Sequence, residues 1–148
     1  MDFDLVWFEE PIPPDNPAGH VRVQTEGGIP GATGQNLRSL WDFKTVIESG
    51  GVSYPEPDVT NCGGVTPFIK IARLAEARHL PVTSRGAHDI TVQLLAACPN
   101  RSCLEAHGFG LEHYIQEPLR IEEGYAIAPD RPGHGVAFDW DRLEAVHL

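Results

Sequence analysis

The 148-residue sequence has no apolar run near the 18 or so residues that span a bilayer, and its start, MDFDLVWFEE, is acidic where a signal peptide is basic. Membrane insertion and secretion are therefore not expected, and the chain reads as cytoplasmic. Basic residues are scarce: 11 Lys and Arg against 21 Asp and Glu give a net charge of −10. Such a chain repels phosphate backbones and offers no basic stripe, which argues against nucleic acid as a partner. The three cysteines, Cys62, Cys98 and Cys103, form neither an even framework nor a CxxC pair, so a disulfide scaffold and a structural zinc site are both unsupported. Small, reduced core residues are expected instead. The seven histidines contain no HExxH, and His107 and His113 are six apart, a spacing that does not share a helix face. Nucleotide motifs are missing too. GGIPGATG (27–34) spells neither GxGxxG nor GxxxxGK[ST], and GGVT (63–66) has no lysine in phase.

What is present is alternation. LVWF (5–8), IPGAT (29–33), VSY (52–54), PVTS (81–84) and CLEA (103–106) read as short buried strands. Between them, 18–27, 37–50, 66–79 and 89–97 place apolar residues three and four apart, as helices do; Asp89 is a candidate N-cap, and Gly50 and Pro99 stand at helix ends. Alternation of this kind predicts parallel strands with helical crossovers, either a doubly wound sheet or part of a (β/α) barrel.

Strand-end chemistry separates the two. Each predicted strand is followed by, or contains near its end, a polar side chain able to reach a mouth: Glu9 or Glu10, Gln35, Asp58, Arg85 and Glu105, spaced 20–27 residues apart. Any one of them could simply meet solvent. Five in phase are what a barrel active site requires, since such sites form at the carboxyl ends of the strands. The predicted fold is α/β: the C-terminal part of a modified TIM barrel, about five parallel strands alternating with helices, followed by a short β extension. Residues 1–116 are assigned to the half-barrel and 117–148 to the extension. There GYAIAPD and GVAFDW flank the turn residues DRPGHG, which predicts a hairpin.

WFEEPI (7–12), GATGQNL (31–37), EPDVTNCGGVT (56–66), PVTSRGAHDITVQLLAACPN (81–100) and CLEAHG (103–108) resemble the C-terminal barrel of the enolase superfamily, in its mandelate racemase and muconate lactonizing enzyme branch. The resemblance implies a Mg²⁺ cofactor and a small carboxylate or sugar-acid substrate. It also implies abstraction of the proton α to the carboxylate, leading to dehydration or racemisation. Carried over residue by residue, Glu9 falls on a metal carboxylate. Gln35 falls on another, where the neutral amide brings no charge and weakens metal binding. Asp58 matches the aspartate that orients a basic histidine, and Arg85 stands where that histidine belongs. Glu105 matches the group that hydrogen-bonds the substrate carboxylate.

Arginine stays protonated near neutrality and cannot act as the base; an ion pair with Asp58 or with the substrate carboxylate is the expected role. His88, three residues on, is expected to point elsewhere, while His107 either lines the pocket beside Glu105 or packs structurally. Glu10 reads as structural. The family's first metal carboxylate, its paired lysines and its capping domain have no counterpart in the 148 residues, so the chain is expected to be inactive by itself, with weak or absent Mg²⁺ binding. A non-catalytic remnant or interaction subunit is the alternative. Five strands leave unpaired edges, and a homo-oligomer is expected.

Overall fold

The computed structural model describes residues 3–107 and 110–146. Strand and helix alternate through the first hundred residues: β1 (Phe8–Glu9), α1 (Pro17–Gly27), β2 (Gly31–Thr33), α2 (Leu40–Ser49), β3 (Tyr54–Pro55), α3 (Val65–Glu76), β4 (Val82–Ser84), α4 (His88–Ala96) and β5 (Arg101–Leu104). β1, β2 and β3 form one parallel sheet and β4 pairs with β5 in parallel. A single parallel bridge between Asp58 and Arg85 joins the two groups. The result is the expected arc of five parallel strands with helices as crossovers.

Local chemistry sets the helix limits. The Asn16 side chain accepts from the Gly19 amide at 3.0 Å, with Pro17 in the first turn of α1, and Ser39 caps α2 through the Asp42 amide at 3.3 Å. Apolar residues at helical spacing then build one core. Phe43, Val46 and Ile47 of α2, Phe68, Ile71, Ala72 and Ala75 of α3, and Leu94 and Leu95 of α4 are buried together with Val82 of β4.

Four sequence expectations are corrected. The last strand is Arg101–Leu104, not 103–106, because a bulge sets Val82 opposite Arg101 but Ser84 opposite Leu104. Asp89 is not the cap of α4; Ala87 holds that place, and Asp89 lies in the first turn, its Oδ1 accepting from the Leu119 amide at 2.9 Å. The hairpin forms earlier than expected, β6 (Arg120–Glu122) pairing antiparallel with β7 (Tyr125–Ile127), whereas Phe138 makes an isolated bridge to Ile115. A 3-10 turn (Leu111–Tyr114) precedes this segment and a short helix α5 (Trp140–Glu144) follows it. Cys62 and Cys98 are buried, where desolvation pushes their thiols up, but Cys103 is exposed. Among the described residues no helix is long and apolar enough to cross a membrane.

Candidate functional site

The carboxyl ends of the strands open on a cavity of about 260 Å³ lined by Trp7, Glu9, Glu56, Thr83, Ser84, Arg85, Cys103, Leu104 and Glu105. A larger cleft of about 690 Å³ lies between α4 and the C-terminal extension, lined in part by Asp89, Glu117, Arg120 and Arg131. The smaller cavity is the candidate site, because it gathers charged groups from β1, β3, β4 and β5 where barrel chemistry takes place. The Trp7 and Tyr54 rings, 4.9 Å between centroids, pack at its β1–β3 side.

On the β4–β5 side, Arg85 follows β4 directly and Glu105 follows β5. Arg85 Nε lies 3.7 Å from Glu105 Oε2, and the same oxygen accepts from the Gly86 amide at 3.1 Å. Gly86 adopts φ 63°, and a Cβ there would stand 2.7 Å from Asp58 Oδ2, so both the turn and the close approach need glycine. Asp58 is buried, and its Oδ1 accepts from the Thr60 amide at 2.8 Å and from Thr60 Oγ1 at 2.6 Å. It shapes the turn after β3 and is not part of the cavity wall. Arg85 ion-pairs with Glu105; the sequence suggested Asp58 or the substrate carboxylate as its partner.

On the β1–β2 side, Glu10 holds the loop after β2. Its Oε1 accepts from Thr33 Oγ1 at 3.3 Å and the Gly34 amide at 3.5 Å; its Oε2 accepts from Gln35 Nε2 at 3.1 Å and Asn36 Nδ2 at 2.8 Å. Gly34 is tightly enclosed: a Cβ would lie 2.6 Å from Phe43 Cε1. Gln35 thus turns its amide nitrogen to Glu10 and is not in the cavity lining. His88, buried at the start of α4 with Nε2 3.1 Å from Asp89 Oδ2, is not in the lining either. His107 is exposed beyond the end of β5 and is not in the cavity lining.

The sequence reading missed Glu56. It directly follows β3, as Arg85 and Glu105 follow β4 and β5, and is 4% exposed. Its Oε2 has no hydrogen-bond partner among the described residues, and Ser84 Oγ on the same wall has none either. Burial first, then the nearby charges of Glu9, Glu10 and Glu105, push its carboxyl up to about 8, opposed by Arg85. Part of the signal was available in YPEPD: Glu56 and Asp58 are two apart, the strand period, so Glu56 was a candidate for the same face as Asp58.

Among the described residues, no three His, Cys, Asp or Glu side chains converge as a metal-ligand group. The cavity does have the donor chemistry of a hard cation, oxygens from carboxylates, one of them buried without a donor. It suits a partial Mg²⁺ site whose other positions are filled by water, substrate or further protein groups.

Comparison with known proteins fits this geometry. A family model described as enolase C-terminal domain-like matches residues 1–142. A 3,6-anhydro-alpha-L-galactonate cycloisomerase of Streptomyces coelicolor is 50% identical over 141 residues, which cover 95% of this chain and 39% of that protein. A D-xylonate dehydratase of Haloferax volcanii is 32% identical over 152 residues, covering 97% of this chain and 37% of the relative. Among solved structures, a racemase from Streptomyces coelicolor with bound magnesium superposes with a TM-score of 0.91 at 47% identity, over 96% of this chain and 39% of that one. L-talarate dehydratase from Polaromonas sp. JS666, complexed with Mg and L-glucarate, gives 0.87 at 35% identity, over 95% and 39%. The chain thus spans less than half the length of these relatives, and within that span the phased strand ends and the matched model agree: it belongs to the enolase superfamily, as a C-terminal, barrel-forming domain.

Proposed function

We propose that this chain supplies the C-terminal wall of the active site of a Mg²⁺-dependent sugar-acid dehydratase or racemase, and that alone it is catalytically silent. The observation that carries the proposal is the convergence of Glu9, Arg85 and Glu105, from three separate strand ends, on one cavity. The relatives that act on sugar acids, and the neighbour holding Mg and L-glucarate, support the substrate class. In this reading Glu9 is a metal carboxylate and Gln35, its amide nitrogen committed to Glu10, is at most a neutral, weak ligand. Bound Mg²⁺ neutralises the substrate carboxylate and acidifies its α-proton. Arg85 holds the substrate carboxylate, Glu105 orients the guanidinium and, when protonated, donates to the same carboxylate, and Asp58 positions the turn that presents Arg85. In this reading the half-barrel runs to residue 116, and the described part of the extension beyond it docks on α4 through Asp89 and through Gln93, whose amide donates to the Pro129 carbonyl at 2.8 Å.

Silence follows from Arg85. A guanidinium fixed beside Glu105 has no lone pair with which to take a proton at neutral pH. The test is deuterium uptake at the α-carbon of L-glucarate, D-xylonate and mandelate, with and without Mg²⁺, paired with calorimetric binding of the same acids. No exchange is expected from the chain alone; Arg85→Ala should weaken acid binding, and so should Glu105→Ala, which removes the group that orients the guanidinium. Supplying the N-terminal part of the Streptomyces coelicolor cycloisomerase should restore little unless Gln35→Glu and Arg85→His are both introduced. Mg²⁺-dependent exchange by the unmodified chain would overturn the silence, and acid binding indifferent to both substitutions would remove the cavity from the proposal.

A further inference from the structure

We infer that Glu56, together with Glu9, supplies the carboxylate oxygens that hold the divalent cation in this cavity, making good the charge that Gln35 lacks. The inference rests on the Mg²⁺ reading proposed above and assigns a ligand that the family resemblance does not.

A carboxylate in a protein interior is costly unless it is protonated, hydrogen-bonded or paired with a cation. Glu56 is 4% exposed, and its Oε2 has no hydrogen-bond partner among the described residues. Its neighbours make matters worse, since Glu9, Glu10 and Glu105 all repel an added negative charge there. Glu10 solves the same problem by accepting four hydrogen bonds, which engage both of its oxygens in the loop after β2. Glu56 has no such clamp. Arg85 lines the same cavity, but it is the weakest of the charges acting on Glu56, and Glu105 lies 3.7 Å from its Nε. A hard divalent cation between Glu9 and Glu56 would meet oxygen ligands from both and remove the repulsion between them. Two protein carboxylates suffice for an ion of the Mg²⁺ type, which retains several waters.

The metal itself provides the readout. Tb³⁺, an oxygen-seeking substitute, is titrated into the full chain while its luminescence is excited through Trp7 on the cavity wall, and Mg²⁺ is then used to displace it. Glu56→Gln should weaken both ions by roughly 10–100-fold, the range found when groups supporting a metal site are removed. Gln35→Ala, which removes only a neutral group committed to Glu10, should cost both ions less than Glu56→Gln does. Moving the carboxylate, with Glu56→Gln and Gln35→Glu together, should recover part of the loss. If Glu56→Gln binds as tightly as the parent while Glu9→Gln does not, the assignment of Glu56 is overturned and the Mg²⁺ reading stands. If neither substitution matters, the Mg²⁺ reading itself falls. Should Glu56→Gln fail to fold by circular dichroism, Glu56→Asp decides: a carboxylate retracted by one methylene must weaken both ions, and unchanged affinity overturns the assignment.

Discussion

Strands β2 and β4 are buried along their whole length, whereas β1 is exposed throughout and β5 over three of its four residues. All four belong to one arc and run in the same direction, so strand type does not explain the contrast. Cover does. β4 joins through Val82 the core that α2, α3 and α4 share, β2 is paired on both sides by β1 and β3, and parallel strands ordinarily require cover on both faces. At the β1 margin Phe3, Leu5, Val6 and Phe8 are at least half exposed, four apolar side chains within six residues leading into a sheet edge. The helix-backed middle is a finished piece of protein interior; the margins are surfaces built for something to lie against.

Experiments can sharpen or break this contrast. The largest effect belongs to the middle: Phe68→Ala, at a fully buried side chain, should cost about 3–5 kcal/mol in urea denaturation, and Phe8→Ala far less. Equal costs would erase the distinction. Next is Gly34→Ala, which combines φ 143° with a Cβ 2.6 Å from the Phe43 ring and should cost roughly 1–3 kcal/mol from backbone strain alone. The third concerns the mouth and is a matter of sign. Glu56 holds its proton more tightly folded, to about 8, than an ordinary carboxyl near 4.5. Its contribution to metal-free stability is thus complete below pH 4.5 and is lost as pH rises toward 8. Glu56→Gln should flatten that decline in denaturation midpoints measured across the range, and a parent curve already flat there would refute the shift. The smallest effect on stability is expected at the margin. Phe8→Lys should leave the midpoint nearly unchanged yet reduce self-association in sedimentation velocity, as charge on an exposed edge does.

The legible parts of the molecule were those written in local pattern. Apolar spacing at 43, 46 and 47 and at 68, 71, 72 and 75 announced α2 and α3, and the phase of the strand ends announced Glu9, Arg85 and Glu105 as cavity residues. What stayed hidden depends on pairing between distant segments. Glu56 and Asp58 are two apart, so alternation puts them on one face and does not show that Glu56, and not Asp58, lines the cavity. The register of β5 is set by a bulge against β4, and Asp89 is engaged by a main-chain amide thirty residues away. The hairpin was misplaced because DRPGHG has stronger turn composition than EEGY, yet it is Glu123 and Gly124, at φ 50° and 82°, that connect β6 to β7.

The lone bridge between Asp58 and Arg85 has a mechanical consequence. β1–β2–β3 and β4–β5 are each laced by their own ladders, but the seam between them is a single stitch placed at the mouth. Below that stitch the described residues show no strand pairing between the two plates, which meet through helix packing. Glu9 and Glu56 ride on one plate, Arg85 and Glu105 on the other. Any displacement of one plate against the other would therefore change the spacing between Glu9 and Glu56 and the Arg85–Glu105 pair before it broke a ladder within either plate.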